Sequence, residues 1–197
     1  MDRPPTAVVM LNLGGPKRLD EVRPFLLELF VDREIIQLPF QSVLGPFIAK
    51  RRTASVQRHY AEIGGGSPIL HWTDLQGRGM CERLDALCPE SAPHKHYVAF
   101  RYGEPSSETA LRQMSADGVV RAVAFTQYPQ FSCATTGSSL NELWRAARRL
   151  GLQEAFDWSV IDRWPTHELF IEAMTSTVER GLEQFAEADR HDVIVLF

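Results

Sequence analysis

Segment 119–144 joins an apolar run to a helix start through a loop rich in reactive and hydrogen-bonding groups. It reads VVRAVAFTQYPQFSCATTGSSLNELW, and its loop holds Tyr128, Cys133 and the hydroxyl-rich run TTGSS at 135–139. Hydroxyls and backbone N–H groups at a helix start can cradle an anion. The same hydroxyls can simply cap the helix and tie down the loop, so both interpretations stay open. Cys133 stands alone, which favours an incidental thiol over a metal ligand or nucleophile.

A second unusual stretch, 25–52, is crowded with large apolar residues and ends in cations. It reads FLLELFVDREIIQLPFQSVLGPFIAKRR. An apolar lip that ends in basic residues suits a flat apolar ligand with carboxylates, or a membrane surface with anionic lipid. The alternative is a pair of core-packed helices with a solvated basic end.

The glycine turn LNLGGP matches a nucleotide-binding turn only loosely. It lacks the G-x-G-x-x-G spacing, and Pro16 removes a backbone N–H that would face a phosphate. A nucleotide-binding oxidoreductase half-domain is therefore a weak alternative. No G-x-S-x-G or H-E-x-x-H motif is present in the sequence, so hydrolase and zinc-protease chemistry find little support.

These segments must be positioned by the elements around them, and apolar runs alternate with amphipathic patterns along the chain. Strands are predicted over 7–13, 96–102, 119–125, 156–162 and 192–197, and helices over 20–30, 106–118, 138–150 and 166–185. Asp20 and Ser107 are the expected N-caps of the first two helices. The alternation predicts an α/β fold with a parallel sheet covered on both faces, whose ligands bind beyond the carboxyl ends of the strands.

Composition narrows the class of protein. The chain has 197 residues, 44% hydrophobic and 23% charged, with a net charge of −4, which argues against nucleic acid as a partner. Three cysteines without metal-knuckle spacing indicate a reducing compartment. The start enters a strand almost at once, which leaves no room for a signal or transit peptide. The apolar run DVIVLF reaches the last residue, so we expect a fragment or a truncated product.

Six motifs in order resemble the ferrochelatase family. They are MLNLGGP, PFIAKRRT, IGGGSPI, APHKHYVAFRY, AFTQYPQFSCATTGSSLN and DRWPTH. The resemblance implies a chelatase-like fold of two doubly wound, parallel-sheet (Rossmann-like) domains with a porphyrin between them. Residues 1–150 would form the first domain with its porphyrin-binding lip. Residues 151–197 would begin a second domain that is only partly present.

The resemblance also implies site residues. Positions that hold porphyrin propionates are matched by Arg52, Tyr60 and Ser67, although Ser55 replaces a lysine expected nearby. The apolar wall that grips the macrocycle is matched by Leu13, Leu29 and Ile35. The inner pocket is matched by Arg101, Tyr102 and His167 as catalytic positions, with Tyr128 and Trp164 lining it. Cys133 matches one ligand of a [2Fe–2S] cluster that some members carry, and the other three ligands are not in this sequence.

The function implied by the resemblance is insertion of ferrous iron, the metal substrate, into protoporphyrin IX to form haem. The family's favoured proton acceptor is a histidine in a Ser-Ala-His-Ser-Leu-Pro segment that follows the strand matched by DVIVLF, so this chain alone is expected to be inactive. A non-catalytic porphyrin-binding module and a coproporphyrin ferrochelatase are the alternatives, and the apolar Leu13 favours protoporphyrin.

The same resemblance implies partners and a location. A membrane surface is expected as a peripheral partner, and a homodimer is left open. The location would be the cytoplasmic side of the inner membrane in a bacterium, or the matrix side of the inner membrane in a mitochondrion. The absence of an evident transit peptide favours a bacterial or an already processed chain.

Overall fold

Four parallel strands form the centre of the molecule in a computed structural model that describes residues 3–195. The strands are β1 (Thr6–Asn12), β2 (His94–Phe100), β3 (Arg121–Thr126) and β4 (Asp157–Ile161). Their order in the sheet is β2-β1-β3-β4. Val9 of β1 lies opposite Tyr97 of β2 and Ala124 of β3. The predicted α/β class with a parallel sheet is therefore confirmed.

Six α-helices accompany the sheet in the described residues. They are α1 (Val22–Val31), α2 (Gln41–Glu62), α3 (Ile69–Leu87), α4 (Ser107–Ala116), α5 (Ser138–Leu150) and α6 (Glu168–Leu182). A π-helical turn, Cys133–Gly137, leads directly into α5. No helix among residues 3–195 is long and apolar enough to cross a membrane.

Helices cover both faces of the sheet, because alternate side chains of β1 point to opposite sides. Ala7, Val9 and Leu11 pack into one core cluster with residues of α4 and α5. Val8 and Met10 pack on the other face with side chains of α3. All five side chains are at most 3% exposed, so β1 is the buried central strand that its continuous apolar sequence predicts.

The apolar stretch 25–52 forms a pair of packed helices that also exposes part of its apolar surface. Val22, Leu26 and Phe30 of α1 pack against Ala49 of α2 in a separate cluster. The outer side of the pair exposes large apolar side chains at the start of α2. These are Phe40, Val43 and Phe47, which are 83%, 68% and 60% exposed. The interpretation as packed helices is therefore confirmed, and a ligand-binding or membrane-binding role of the exposed side chains stays a prediction.

Two predicted helix caps are wrong. Asp20 lies inside a short 3-10 turn, Leu19–Glu21, and its carboxylate accepts hydrogen bonds from Arg18 instead of capping α1. The cap of α4 is Ser106, whose hydroxyl accepts a bond from the Thr109 N–H at 3.3 Å. Ser107 is the first residue of the helix and is buried.

The predicted last strand, 192–197, is wrong over the residues described. A 3-10 turn covers Glu187–Asp192, and residues 193–195 form no strand, while Leu196 and Phe197 lie outside the described residues. In the described sheet β3 and β4 pair with one another, and none of the described strands pairs with 192–195. An apolar run without a neighbouring strand makes no ladder hydrogen bonds, so its sequence pattern alone does not create a strand.

The chain divides into two compact units, and the division falls between Arg163 and Trp164. The first unit holds the whole sheet, including β4, and the second holds α6 and the 3-10 turn after it. The domain limits 1–150 and 151–197 concern the complete fold and stay a prediction.

Candidate functional site

The residues that follow β1, β2 and β3 lie together at the carboxyl edge of the sheet, a place named the crevice for its position at the end of parallel strands. In the sheet, β2 lies on one side of β1, and β3 and β4 lie on the other side. The direction in which successive strands are added therefore reverses between β1 and β3. In open parallel sheets ligands bind at this switch point. Leu13 follows β1, Arg101 follows β2, and Tyr128 follows β3 by two residues. Four predicted site residues, including Tyr102, are thus brought to one edge of the sheet.

Backbone hydrogen bonds continue the sheet beyond the strand ends and fix these residues. The Arg101 N–H donates to the Asn12 carbonyl at 2.9 Å, and the Tyr102 N–H donates to the Leu13 carbonyl at 3.0 Å. This ladder locks the residues after β1 and β2 in register. The backbone of the crevice is therefore rigid, and its side chains project from fixed positions.

Arg101 and Tyr102 share one carboxylate. Asp32, the residue after α1, accepts hydrogen bonds at Oδ2 from the Arg101 guanidinium and from the Tyr102 hydroxyl, the latter at 2.6 Å. The Arg101 Nε donates to the Ser138 hydroxyl of α5 at 2.9 Å. Its Nη1 lies 3.7 Å from a carboxylate oxygen of Glu142. A cation with two carboxylate neighbours can stay charged at a site that is only 11% exposed.

Two tyrosines at the crevice are held in the neutral form. Burial, and then the hydrogen bond to Asp32, raise the pKa of Tyr102 far above its ordinary value. Burial also raises the pKa of Tyr128, against the opposing effects of the neighbouring Ser139 hydroxyl and the Arg101 cation. Both side chains are therefore uncharged aromatic walls at physiological pH, beside one fixed positive charge.

The turn after α1 is tied to α5 by a second ion pair. Arg145 donates a hydrogen bond to Glu34, and this bond is the largest effect lowering the pKa of the Glu34 carboxyl. The turn that carries the half-buried Ile35 is thus anchored at two points, through Asp32 to the residues after β2 and through Glu34 to α5. Leu29, also half-buried, lies on the last turns of α1 just before it.

Sequence reasoning missed Asp32, Glu34, Ser138 and Glu142. A signal for the first two was present, because DRE at 32–34 interrupts an otherwise apolar stretch. A buried arginine needs an anionic partner, and charges inside an apolar run are the natural candidates. Which arginine pairs with which carboxylate depends on the fold and is not visible in the sequence.

The three predicted propionate-binding residues lie along α2 and the turn that follows it. Arg52 is exposed, with its guanidinium 5.9 Å from the centre of the Phe30 ring. Tyr60 packs against the cluster between α1 and α2, and its burial raises the pKa of its hydroxyl. Eight residues of helix separate the two, which is about 12 Å. The Ser67 N–H donates to the Pro16 carbonyl at 2.7 Å, so Ser67 lies at the loop after β1.

Close packing accounts for the glycines of LNLGGP. Gly14 has φ +88°, and a Cβ built on it would lie 2.2 Å from the Tyr102 carbonyl oxygen. A Cβ on Gly15 would lie 2.8 Å from the Ser67 hydroxyl. The turn has glycines because the chain after β2 and the loop before α3 pack closely against it. This close packing explains the glycines without a bound phosphate.

The hydroxyls before α5 hydrogen-bond within the protein. Ser132 accepts a bond from the Thr135 N–H at 3.2 Å, and the Thr126 and Thr136 hydroxyls lie 3.3 Å apart. Ser132, which lies outside TTGSS, caps the π-helical turn, and no side chain of the described residues caps α5. The capping of α5 by TTGSS is therefore wrong, whereas Thr136 and Ser138 tie down the loop through Thr126 and Arg101. Cys133 is exposed at the start of the π-helical turn.

A metal or cluster site is not formed by the described residues alone. Within 3–195, no group of three or more His, Cys, Asp or Glu side chains is arranged to hold a metal ion. Cys133 contributes a single accessible thiol, and a [2Fe–2S] cluster needs four ligands. Its role as a cluster ligand therefore stays a prediction that depends on residues from outside this chain.

Trp164 and His167 belong to the second compact unit. The Trp164 ring meets Phe170 edge to face, with ring centres 5.1 Å apart. His167 is the residue before α6, its side chain is exposed, and its N–H donates to the Trp164 carbonyl at 3.3 Å. These contacts hold the pair together within their unit, and their role as pocket residues stays a prediction.

A groove beside the turn after β1 is too small for a large ring ligand. It encloses about 190 Å³ and is lined by residues that include Gly15, Phe25, Glu28, Gly103 and Glu104. Pockets for small-molecule ligands typically enclose about 300–1,000 Å³. The groove and the neighbouring crevice together offer one wall for such a ligand.

Comparison with known proteins gives a consistent result. The sequence model of the family described as Ferrochelatase matches residues 5–197. The chain is 52% identical over 195 residues to "Ferrochelatase, mitochondrial" of Gallus gallus, covering 99% of the chain and 48% of that protein. The corresponding protein of Schizosaccharomyces pombe is 56% identical over 194 residues, with 98% and 46% covered. That of Homo sapiens is 51% identical over 195 residues, with 99% and 46% covered. The chain spans about half the length of the curated relatives it matches.

Proposed function

Because the chain belongs to the ferrochelatase family, we propose that the full-length protein inserts ferrous iron into protoporphyrin IX and releases haem. The observation that carries the proposal is the crevice at the switch point. There, an apolar side chain (Leu13), two neutral tyrosines (Tyr102 and Tyr128) and one fixed cation (Arg101) meet on a rigid backbone. Iron is the metal substrate of this reaction.

Each part of the wall has a physical task in this proposal. The apolar side chains of Leu13, Leu29 and Ile35 bury the porphyrin face, at about 25 cal/mol per Å² of apolar surface. Distorting the ring exposes pyrrole nitrogen lone pairs to the metal and costs about 1–5 kcal/mol. A few hundred Å² of buried face is enough to offset that cost, and the stiff walls of Tyr102 and Tyr128 maintain the distortion.

Arg52, Tyr60 and Ser67 would hold the propionates. A guanidinium forms strong charge-assisted hydrogen bonds with a carboxylate, and hydroxyls add directional donors. The separation of Arg52 and Tyr60 along α2 fits a ligand whose carboxylates project from one edge of a large ring. Ser55, on the same helix, supplies no second cation, so Arg52 would carry most of the charge recognition.

Metal insertion releases two protons, so a base is required. The favoured base in the family lies in a segment beyond residue 197, and His167 is proposed as a catalytic position of the inner pocket that does not take the part of this base. Residues 1–197 alone are therefore expected to bind porphyrin weakly and to insert no iron. A natural non-catalytic porphyrin-binding module is the second candidate function.

The exposed start of α2 supports a peripheral membrane contact. Phe40, Val43 and Phe47 are exposed there, and Lys50 and Arg51 follow on the same helix. Apolar side chains that enter the lipid boundary, next to cations that face anionic headgroups, are typical of interfacial helices. The relatives named above are mitochondrial, so we propose the matrix side of the inner membrane as the location, or the cytoplasmic side of the inner membrane in a bacterium. A homodimer and a [2Fe–2S] cluster in the full-length protein remain open proposals.

The test is anaerobic metallation by the full-length protein. Porphyrin fluorescence is followed as ferrous iron is added, with protoporphyrin IX and coproporphyrin as alternative substrates. The proposal predicts haem formation with protoporphyrin as the faster substrate, since Leu13 offers no partner for extra carboxylates. Faster metallation of coproporphyrin would reassign the substrate, and porphyrin binding without metallation would favour the binding module.

A further inference from the structure

Asp32 has both carboxylate oxygens engaged. Its Oδ1 accepts a hydrogen bond from the Glu34 N–H at 2.8 Å, which shapes the turn after α1. Its Oδ2 accepts bonds from the Arg101 guanidinium and the Tyr102 hydroxyl. The side chains of Asp32 and Arg101 are only 12% and 11% exposed. Water therefore has little access to replace either bond if the carboxylate is removed.

The shared oxygen fixes two side chains at once. Arg101 has one further donor bond, to Ser138, and its other carboxylate neighbour, Glu142, is 3.7 Å away. Tyr102 is 3% exposed, so its hydroxyl needs the acceptor that Asp32 supplies. With Asp32 in place, the guanidinium lies 4.9 Å from the centre of the Tyr102 ring. Without it, the guanidinium can turn toward Glu142, and the Tyr102 hydroxyl loses the acceptor that Asp32 supplies.

We propose that Asp32 is the positioning residue of the crevice. It sets the direction of the Arg101 guanidinium and of the Tyr102 ring, and it acts through these two residues without touching the porphyrin. This inference rests on the function proposed above, in which Arg101 and Tyr102 line the approach of the metal. Because Asp32 begins the turn that carries Ile35, it also joins the apolar lip to the inner pocket.

The test is Asp32→Asn in the full-length protein, with Asp117→Asn as matched control. Asp117 likewise accepts hydrogen bonds from a cation and a tyrosine hydroxyl, those of Lys95 and Tyr97, but these two residues belong to β2 before its carboxyl end and not to the crevice. We expect Asp32→Asn to lower kcat for metal insertion about 10- to 100-fold, as is typical when the group that orients a reactive side chain is lost. The Kd for protoporphyrin, from fluorescence, should change by no more than about two-fold. Asp117→Asn should leave both constants within about two-fold.

A double-mutant cycle with Arg101→Gln separates positioning from a structural role. If Asp32 acts through Arg101 and Tyr102, adding Asp32→Asn to Arg101→Gln should lower kcat further by less than Asp32→Asn does alone, because only the effect through Tyr102 remains. Full additivity, or an equal loss in Asp117→Asn, would contradict the proposal. If Asp32→Asn does not fold, Asp32→Glu moves the carboxylate by one methylene, and an unchanged kcat in that variant would also contradict it. A wild-type protein that inserts no metal would refute the proposed function, whereas an active wild type with an unaffected Asp32→Asn would refute only the positioning role.

Discussion

Replacing Gly14 by alanine should destabilise the protein and disturb its crevice. Gly14 has φ +88°, a conformation that costs an L-residue about 1–2 kcal/mol. Its new Cβ would also lie 2.2 Å from the Tyr102 carbonyl oxygen, so the backbone after β2 must move by roughly 1 Å. Such overpacking typically adds about 1–3 kcal/mol. The total loss in the free energy of unfolding is therefore about 2–5 kcal/mol.

Gly65→Ala is the matched control. Gly65 has φ +92°, but nothing lies within 4 Å of a Cβ built on it, so only the backbone cost of about 1–2 kcal/mol applies. Urea unfolding of the full-length variants gives the two losses, and metal insertion should fall in Gly14→Ala alone, since Tyr102 is displaced. Equal losses within about 0.5 kcal/mol would refute the argument that the close approach of Tyr102 requires this glycine.

Three further outcomes are expected. Arg52→Ala should weaken protoporphyrin binding about 10-fold, measured by fluorescence titration, with little change in the unfolding temperature. Arg51→Ala should change neither the binding nor the unfolding temperature. The exposed Cys133 should react rapidly with a thiol reagent, while Cys81, buried with its pKa raised to about 11, should react only after unfolding. Asp117 accepts a hydrogen bond from Lys95 of β2 at 2.7 Å, and this bond lowers the pKa of the Asp117 carboxyl. The ionised carboxylate therefore stabilises the fold above about pH 4, and this stabilisation is lost as the pH falls through the lowered pKa. Acid unfolding of Asp117→Asn should accordingly depend less on pH below that value.

Much of the fold can be predicted from the sequence. The apolar run of β1 predicts a strand that is buried on both faces, and Gly151, which takes the left-handed conformation, predicts the end of α5. The sequence predicts that β2 begins at His96, two residues later than in the structure. His94 and Lys95 are polar, and they belong to the strand because they pair in register with Thr6 and Ala7. Strand limits of this kind are set by the neighbouring strand, which local periodicity does not reveal.

Long-range packing also explains the residues that sequence reasoning left without a role. A Cβ on Gly77 of α3 would lie 2.6 Å from the His96 ring, so this helix contains glycine because β2 passes close to it. Such a glycine weakens the helical pattern of α3 in the sequence. In the same way, Asp32 looks like an isolated charge until the fold brings it to Arg101, 69 residues away.

The central claim is that a porphyrin lies against the crevice at the carboxyl ends of β1 and β3. A crystal structure of the full-length protein with a bound, non-metallating porphyrin analogue tests it most directly. We predict a macrocycle packed on Leu13 and Tyr128, with a propionate at Arg52 and the Asp32 carboxylate still bonded to Arg101. A porphyrin bound elsewhere, with this crevice filled by the protein's own side chains, would contradict the account.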